Sequence, residues 1–264
     1  MTTAAELLAL ATEVASEAAA LITERRRGRI TVAQTKSTDT DVVTEVDHES
    51  EDLIRKRVLA VRPDDAFLGE EGEDVHGSSG VRWVVDPIDG TVNYLYDHPT
   101  YAVSIAVEQD GETVAGVVVN APLGETFTAT RGGGAFLNGR PIKVSGCTDL
   151  SKALVGTGFG YDPARRVVQA EVLLHLIGRI RDVRRIGVGA IDLCYVACGR
   201  LDATYERGLN PWDYAAGALI VAEAGGRIGG LHSAPVSPEL TIAATPEVFD
   251  ALHDALAEAD PLRA

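Results

Sequence analysis

Between Tyr101 and Asn120 the chain reads YAVSIAVEQDGETVAGVVVN, an apolar alternation broken only by an Asp110-Gly111 pair. A period of two sends successive side chains to opposite faces of a strand, and Asp-Gly supplies the left-handed residues of a tight hairpin turn. Any fold of this chain must therefore be built around a hairpin at this point. The next stretch, APLGETFTATRGGGAFLNGRPIKVS, extends it with short strands that turn at Leu123-Gly124 and Asn138-Gly139, giving an antiparallel meander.

On either side of the meander the period becomes helical. In MTTAAELLALATEVASEAAALI, the residues Leu7, Leu10, Val14, Ala18 and Leu21 fall on one helical face. The segment lacks a basic leader and carries Glu6, Glu13 and Glu17, so it does not read as a signal peptide. The RRRGR cluster that follows suits a helix C-terminus. ITVAQTK reads as a strand. Val43 to Val61 reads as a helix with Val46, Leu53, Ile54, Val58 and Val61 on its stripe, closed by Pro63. DAFLG is a short strand entering an acidic loop, and Gly72 to Gly80 a polar, mobile connection.

Beyond the meander strands and helices alternate. ALVGTGF, RDVRRI, LDATYE and LTIAAT read as strands, and helices are expected over 163–180, 189–199, 212–224 and 246–257. The chain thus divides near residue 147 into an N-terminal α+β half, residues 1–146, and a C-terminal α/β half, residues 147–264, fused into one unit. Its 264 residues suffice for that.

The formal net charge of −15 disfavours nucleic acid and anionic membrane as partners, and no apolar run is long enough to span a bilayer. An anionic small substrate would be repelled as well, unless bound metal ions reversed the local sign. Cys147, Cys194 and Cys198 are odd in number and show no zinc-ribbon spacing. They read as reduced thiols, which suits a cytoplasmic protein.

Chemistry concentrates in four acidic groups: Asp41 with Asp47, Glu70 with Glu71, Asp86 with Asp89, and Asp213. Each alone has a commoner structural role. Asp89 and Asp213 read as helix caps, Glu70 and Glu71 as a solvated loop, and Asp41 and Asp47 as surface charge. Together they mark strand ends and helix starts, where α/β proteins place ligands. Oxygen donors without His or Cys favour Mg2+. In WVVDPIDGTVNY, residues 83–94, Pro87 is expected to stop the strand so that Asp86, Asp89 and the Ile88 carbonyl face one point. Gly90 would let backbone approach a ligand closely, and the helix opened by Gly90 and Thr91 suits a phosphate.

The same motif carries a family resemblance. Trp83-Val-Val-Asp-Pro-Ile-Asp-Gly-Thr-Val-Asn-Tyr94 and Trp212-Asp-Tyr-Ala-Ala-Gly-Ala-Leu-Ile-Val-Ala-Glu-Ala-Gly-Gly226 closely resemble the two signatures of the inositol monophosphatases, within the Mg2+-dependent, lithium-sensitive phosphatase superfamily. Asp41-Val-Val-Thr-Glu-Val-Asp47, Gly69-Glu-Glu71 and Arg184-Arg-Ile-Gly187 agree in the same order. The resemblance implies a layered α-β-α-β-α sandwich of the inositol monophosphatase and fructose-1,6-bisphosphatase type, usually a homodimer. It implies that Glu70, Asp86, the Ile88 carbonyl, Asp89 and Asp213 hold two or three Mg2+ ions. Thr91 and Asp47, with Glu70, would orient or activate the attacking water. Gly90 and Thr91 N–H groups would hold phosphate oxygens, while Asp89, Gly187, Val188, Gly189, Glu206 and Asp213 would contact polyol hydroxyls. Val188-Gly189 departs from the family's usual hydroxyl residue followed by alanine.

The expected activity is hydrolysis of inositol 1-phosphate. Histidinol phosphate or another sugar or nucleotide phosphate is the alternative, as is a regulatory binding protein on the same fold. Glu206 favours a neutral polyol, since a carboxylate accepts hydroxyl bonds and repels a second phosphate. Its commoner role would be a surface ion pair with Arg207.

Overall fold

The structure is a computed structural model that describes residues 2–28, 30–36, 38 and 42–263. Helix α1 (Ala4–Arg26) begins with a capping box in which Thr3 and Glu6 satisfy each other's backbone N–H groups. Its buried face is Leu7, Ala11, Val14, Ala15, Ala18 and Ile22, while Leu10 and Leu21 of the expected stripe lie at its margin. Small alanines on that face let the helix sit close to a sheet.

That sheet has seven strands in the order β3 (Ala66–Gly69), β4 (Val81–Asp89), β5 (Ala102–Gln109), β6 (Glu112–Asn120), β7 (Glu125–Thr130), β8 (Gly134–Leu137) and β9 (Arg140–Pro141). Only the β3–β4 pair is parallel. The expected hairpin is β5–β6, with Asp110 at φ 53° and Gly111 at φ 84°. A second sheet of five strands is ordered β11 (Asp182–Arg184), β10 (Leu154–Thr157), β12 (Ala203–Glu206), β14 (Thr241–Ala244) and β13 (Arg227–Gly229). A small ribbon pairs β1 (Val32–Thr35) with β2 (Val42–Thr44).

The helices complete the layers. α1 and α2 (Glu45–Val61) cover one face of the large sheet. α5 (Gly189–Ala197) and α6 (Pro211–Glu223) lie between the two sheets, and α4 (Pro163–Leu176) and α7 (Pro246–Ala259) cover the outside of the small one. The result is the α-β-α-β-α sandwich expected. A separate apolar cluster fills the space beneath α1 and α2, the space around α5 and α6, and the space beneath α4 and α7.

Several boundaries differ from expectation, each for a local reason. Val43 belongs to β2, and α2 starts at Glu45 because Thr44 caps it through the Val46 and Asp47 N–H groups. Helix α4 ends at Leu176, two residues before Gly178, a weak helix former. β13 was not expected: three residues with one apolar side chain, set between Gly225-Gly226 and Gly230, carry no readable period. The Gly72 to Gly80 connection is tied down rather than loose. Val75 exchanges both backbone hydrogen bonds with Phe67, and the Ser78 and Ser79 N–H groups donate to the Asp64 carbonyl.

Candidate active site

The site is set by how β4 ends. Strand pairing does not stop at Pro87: Asp86 lies opposite Ser104 and Asp89 opposite Ala102, so three steps on β4 match two on β5. This bulge accommodates a proline that has no N–H to give. It also answers the spacing. Two residues three apart on a regular strand would face opposite sides, and the extra residue returns Asp89 to the face of Asp86. The strand is anchored by Trp83, fully buried, whose Nε1–H donates to Asp65 Oδ2 at 2.9 Å. Gly90 follows at φ 94°, and a Cβ there would lie 2.8 Å from Val188 Cγ2, so the turn into α3 (Thr91–Leu95) requires glycine.

Glu70, Asp86 and Asp213 each offer a carboxylate oxygen, and the three oxygens lie within 4.8 Å of one another. Asp86 is buried and takes the Ile88 N–H on Oδ1 at 2.9 Å. Glu70 is delivered by the end of β3, and the neighbouring Glu71 N–H donates to Glu51 at 2.8 Å. Asp213 is the third residue of α6 rather than its cap. Asn210 is the cap, and its N–H donates to Asp213 Oδ2 at 2.6 Å. Burial, and then the neighbouring carboxylates, push the Asp86 and Asp213 carboxyls well above the usual range. Lys36 Nζ contributes positive charge at the edge, 2.6 Å from Glu70 and 2.7 Å from Glu71. A donor set made only of closely spaced oxygens fits a hard divalent cation. Among the described residues no His or Cys joins it.

Asp89 lines the same cleft but stands apart from that trio. Its Oδ2 accepts the Ala190 N–H from the start of α5 at 2.7 Å, and burial pushes its carboxyl up to about 7. Asp47 is buried, not surface charge. One of its oxygens takes the Thr44 N–H at 2.9 Å and the other the Thr91 hydroxyl at 3.0 Å. Burial lifts the Asp47 carboxyl to about 6. The Thr91 Oγ also lies 3.1 Å from the Ile88 carbonyl oxygen, which tethers Thr91 to the β4 bulge. Asp41 lies outside the described residues.

Glu206 closes β12 at the far wall of this cleft, whose volume is about 570 Å³. It does not pair with Arg207, whose Nη1 donates to the Pro261 and Arg263 carbonyls instead. Its carboxylate packs so closely on Gly158 that a Cβ there would be 2.0 Å away. Burial, and then Asp89, raise it to about 7. Gly187 and Gly189 line the cleft, whereas the Val188 side chain is buried in the core behind them. Sequence reasoning missed Lys36 and Arg165, which also line the cleft, held Arg185 only as part of the Arg184-to-Gly187 motif, and missed Asp192 behind it. Asp192 is 1% exposed, with neither carboxylate oxygen hydrogen-bonded, and burial, then the charges of Glu206 and Asp89, push its carboxyl well above the usual range. One acidic residue within the apolar run GAIDLCYVA was its signal.

Comparison with known proteins agrees with this arrangement. Residues 3–259 match the family model of the inositol monophosphatase family. The chain is 46% identical over 273 residues to Inositol-1-monophosphatase SuhB of Mycobacterium tuberculosis, covering 96% of this chain and 93% of the relative. It is 43% identical over 189 residues to the Nus factor SuhB of Xylella fastidiosa, covering 71% of this chain and 68% of that protein. The solved structure of Mycobacterium tuberculosis SuhB superposes with a TM-score of 0.86 at 44% identity over 100% of both chains. The extragenic suppressor protein suhB of Bartonella henselae gives 0.90 at 34% identity, over 95% of this chain and 98% of that one. With its acidic trio, β4 bulge and five layers accounted for, this chain belongs to the inositol monophosphatase family.

Proposed function

We propose that the protein is a Mg2+-dependent phosphomonoesterase that hydrolyses inositol 1-phosphate to inositol and phosphate. The observation that carries this reading is the Glu70, Asp86 and Asp213 oxygen trio in the same cleft as the Thr91–Asp47 hydrogen bond. Glu70, Asp86, the Ile88 carbonyl, Asp89 and Asp213 would hold two or three Mg2+ ions. When bound, such ions would neutralise the phosphate and make water a better nucleophile. The chain's own groups would do the rest. Thr91 gives its hydroxyl hydrogen to Asp47, which leaves its oxygen free to accept from a water. With a carboxyl near 6, Asp47 can take up that proton at neutral pH, and Glu70 would share in orienting the water. Gly90 and Thr91 N–H groups would hold phosphate oxygens. Asp89, Glu206, Asp213 and the Gly187, Val188 and Gly189 backbone would receive the hydroxyls.

The names of the relatives support inositol 1-phosphate over histidinol phosphate or other sugar and nucleotide phosphates. Some relatives are named Nus factors, which keeps a partner-binding role as a second reading. We further propose that the protein is a cytoplasmic homodimer, its dimeric mass to be checked by light scattering. No described helix is long and apolar enough to cross a membrane. The direct test is phosphate release from inositol 1-phosphate and histidinol phosphate side by side, in Mg2+. Faster turnover of inositol 1-phosphate is expected. Turnover of histidinol phosphate alone would replace the substrate, and release from neither would favour the partner-binding reading.

A further inference from the structure

Asn93, the third residue of α3, is 9% exposed. Its carboxamide nitrogen donates to two backbone carbonyls, Thr100 and Ile186, each at 3.0 Å. A carbonyl oxygen only accepts, so the NH2 end of the amide must face both. Thr100 stands on the short connection from α3 to β5. Ile186 belongs to the other half of the chain, 93 residues away, and comes immediately before Gly187.

A second contact lies close by. Asp89 accepts the Ala190 N–H at 2.7 Å. Asp89 and Asn93 flank the Gly90-Thr91 turn, and Ile186 and Ala190 flank residues 187–189. Two short segments, running in opposite directions, are therefore pinned to each other at both ends across the junction of the two halves. Between the pins they touch: a Cβ on Gly90 would be 2.8 Å from Val188 Cγ2 and 3.5 Å from the Gly187 carbonyl oxygen. The two pins differ in kind. Asp89 lines the cleft, whereas Asn93 does not, so its amide holds backbone and meets no substrate. Asparagine is the smallest side chain with two N–H donors on one nitrogen. Aspartate of the same shape would aim an acceptor at two acceptors, and alanine would withdraw both donors.

We propose that Asn93 is a positioning residue that fixes the separation between the Gly90-Thr91 turn and the 187–189 loop, and so makes the cleft selective for phosphate esters whose alcohol carries hydroxyls at that separation. This rests on the phosphatase reading above, in which the turn holds phosphate and the loop receives hydroxyls. A polyol phosphate must satisfy both segments at once. A simple aryl phosphate needs only the turn and the carboxylate trio, which Asn93 does not hold in place.

The test measures kcat/KM for inositol 1-phosphate and for p-nitrophenyl phosphate in Mg2+, in the unaltered protein and in Asn93→Ala, Asn93→Asp and Asn93→Ser. Amide hydrogen exchange at Ala190 is followed alongside. On inositol 1-phosphate, Asn93→Ala should lose roughly 10–100-fold, the scale of a misplacement of about 1 Å, mainly through KM. On p-nitrophenyl phosphate the change should be small. Asn93→Asp should lose at least as much as Asn93→Ala. Asn93→Ser, which can reach only one of the two carbonyls, should fall between, and it carries the same comparison if the Ala variant does not fold. Exchange at Ala190 should quicken in all three, while exchange in α1 stays as it was. An equal loss on both esters, or unchanged exchange at Ala190, overturns the proposal. No release from either ester by the unaltered protein overturns the phosphatase reading instead, and exchange at Ala190 then decides by itself whether Asn93 holds the loop.

Discussion

Replacing Asp213 by Asn should move stability in opposite directions with and without metal. Asp213 shares the trio with Glu70 and Asp86, with oxygens within 4.8 Å, and also accepts the Asn210 N–H that caps α6. Asparagine keeps an oxygen for that N–H and deletes the charge. Two like charges 4.8 Å apart repel by about 3.5 kcal/mol at an effective dielectric of about 20. Proton uptake by the raised carboxyls trims this, so we expect a gain of about 1–3 kcal/mol in metal-free protein at pH 8. At roughly 2–4 °C per kcal/mol for a chain of this size, Tm should rise by about 2–12 °C. With Mg2+ the order reverses. Wild type should gain about 4.1 kcal/mol at a thousandfold excess over Kd, and the variant much less. The assay is differential scanning calorimetry in EDTA and then in excess MgCl2, at matched ionic strength. An Asp213→Asn variant that loses stability in EDTA, or gains as much from Mg2+ as wild type, would refute the reasoning.

Three further outcomes follow from the same geometry. Thr91→Val should lower turnover by about 10²–10⁴ by removing the hydroxyl between Asp47 and the water, while calorimetric Mg2+ binding persists; wild-type turnover would remove Thr91 from the reaction. Trp83→Phe should destabilise by roughly 1.5–3 kcal/mol in urea melts, since the buried indole donates to the ionised Asp65, and an unchanged midpoint would contradict this. Metal-free protein should lose stability as pH rises from about 4 to about 8. The carboxyls of Asp47, Glu71, Asp89 and Glu206 are raised to between about 6 and about 7 when folded, above their unfolded values, so folded and unfolded states bind protons alike at low pH and the folded state is penalised once these groups ionise. A metal-free Tm that climbs across that window would contradict the assignment.

Much of this was legible in the residues, and the limits have physical causes. The hairpin could be read because Asp110 and Gly111 take the left-handed turn conformation between two apolar runs rich in β-branched residues. The layer order needed the family resemblance, since nothing in a strand's pattern says which sheet it joins. Asp86 and Asp89 were recognisable as a pair, but by the wrong device: proline was expected to end the strand, and a bulge instead carries it through to Asp89. Asp47 looked like surface charge because a helix-capping acid is usually solvated; its burial comes from Thr91 folding onto it across forty-four residues of chain. Glu206 looked like half of an Arg207 pair because they are adjacent in sequence, whereas a strand end sends neighbours to opposite sides. Arg165 gave no signal, because only the folded chain brings the start of α4 to the cleft, and Arg185 stood in the Arg184-Arg-Ile-Gly187 match with nothing there to say that it lines the cleft.

The central claim is that the oxygen trio holds the cation that makes phosphate-ester hydrolysis possible. Its most direct measurement is phosphate release from inositol 1-phosphate by EDTA-stripped protein, as Mg2+ is titrated back. No release is expected without metal, and activity should return saturably with Mg2+, a return absent in Asp213→Asn at the same concentrations. Full activity in verified metal-free protein would contradict it.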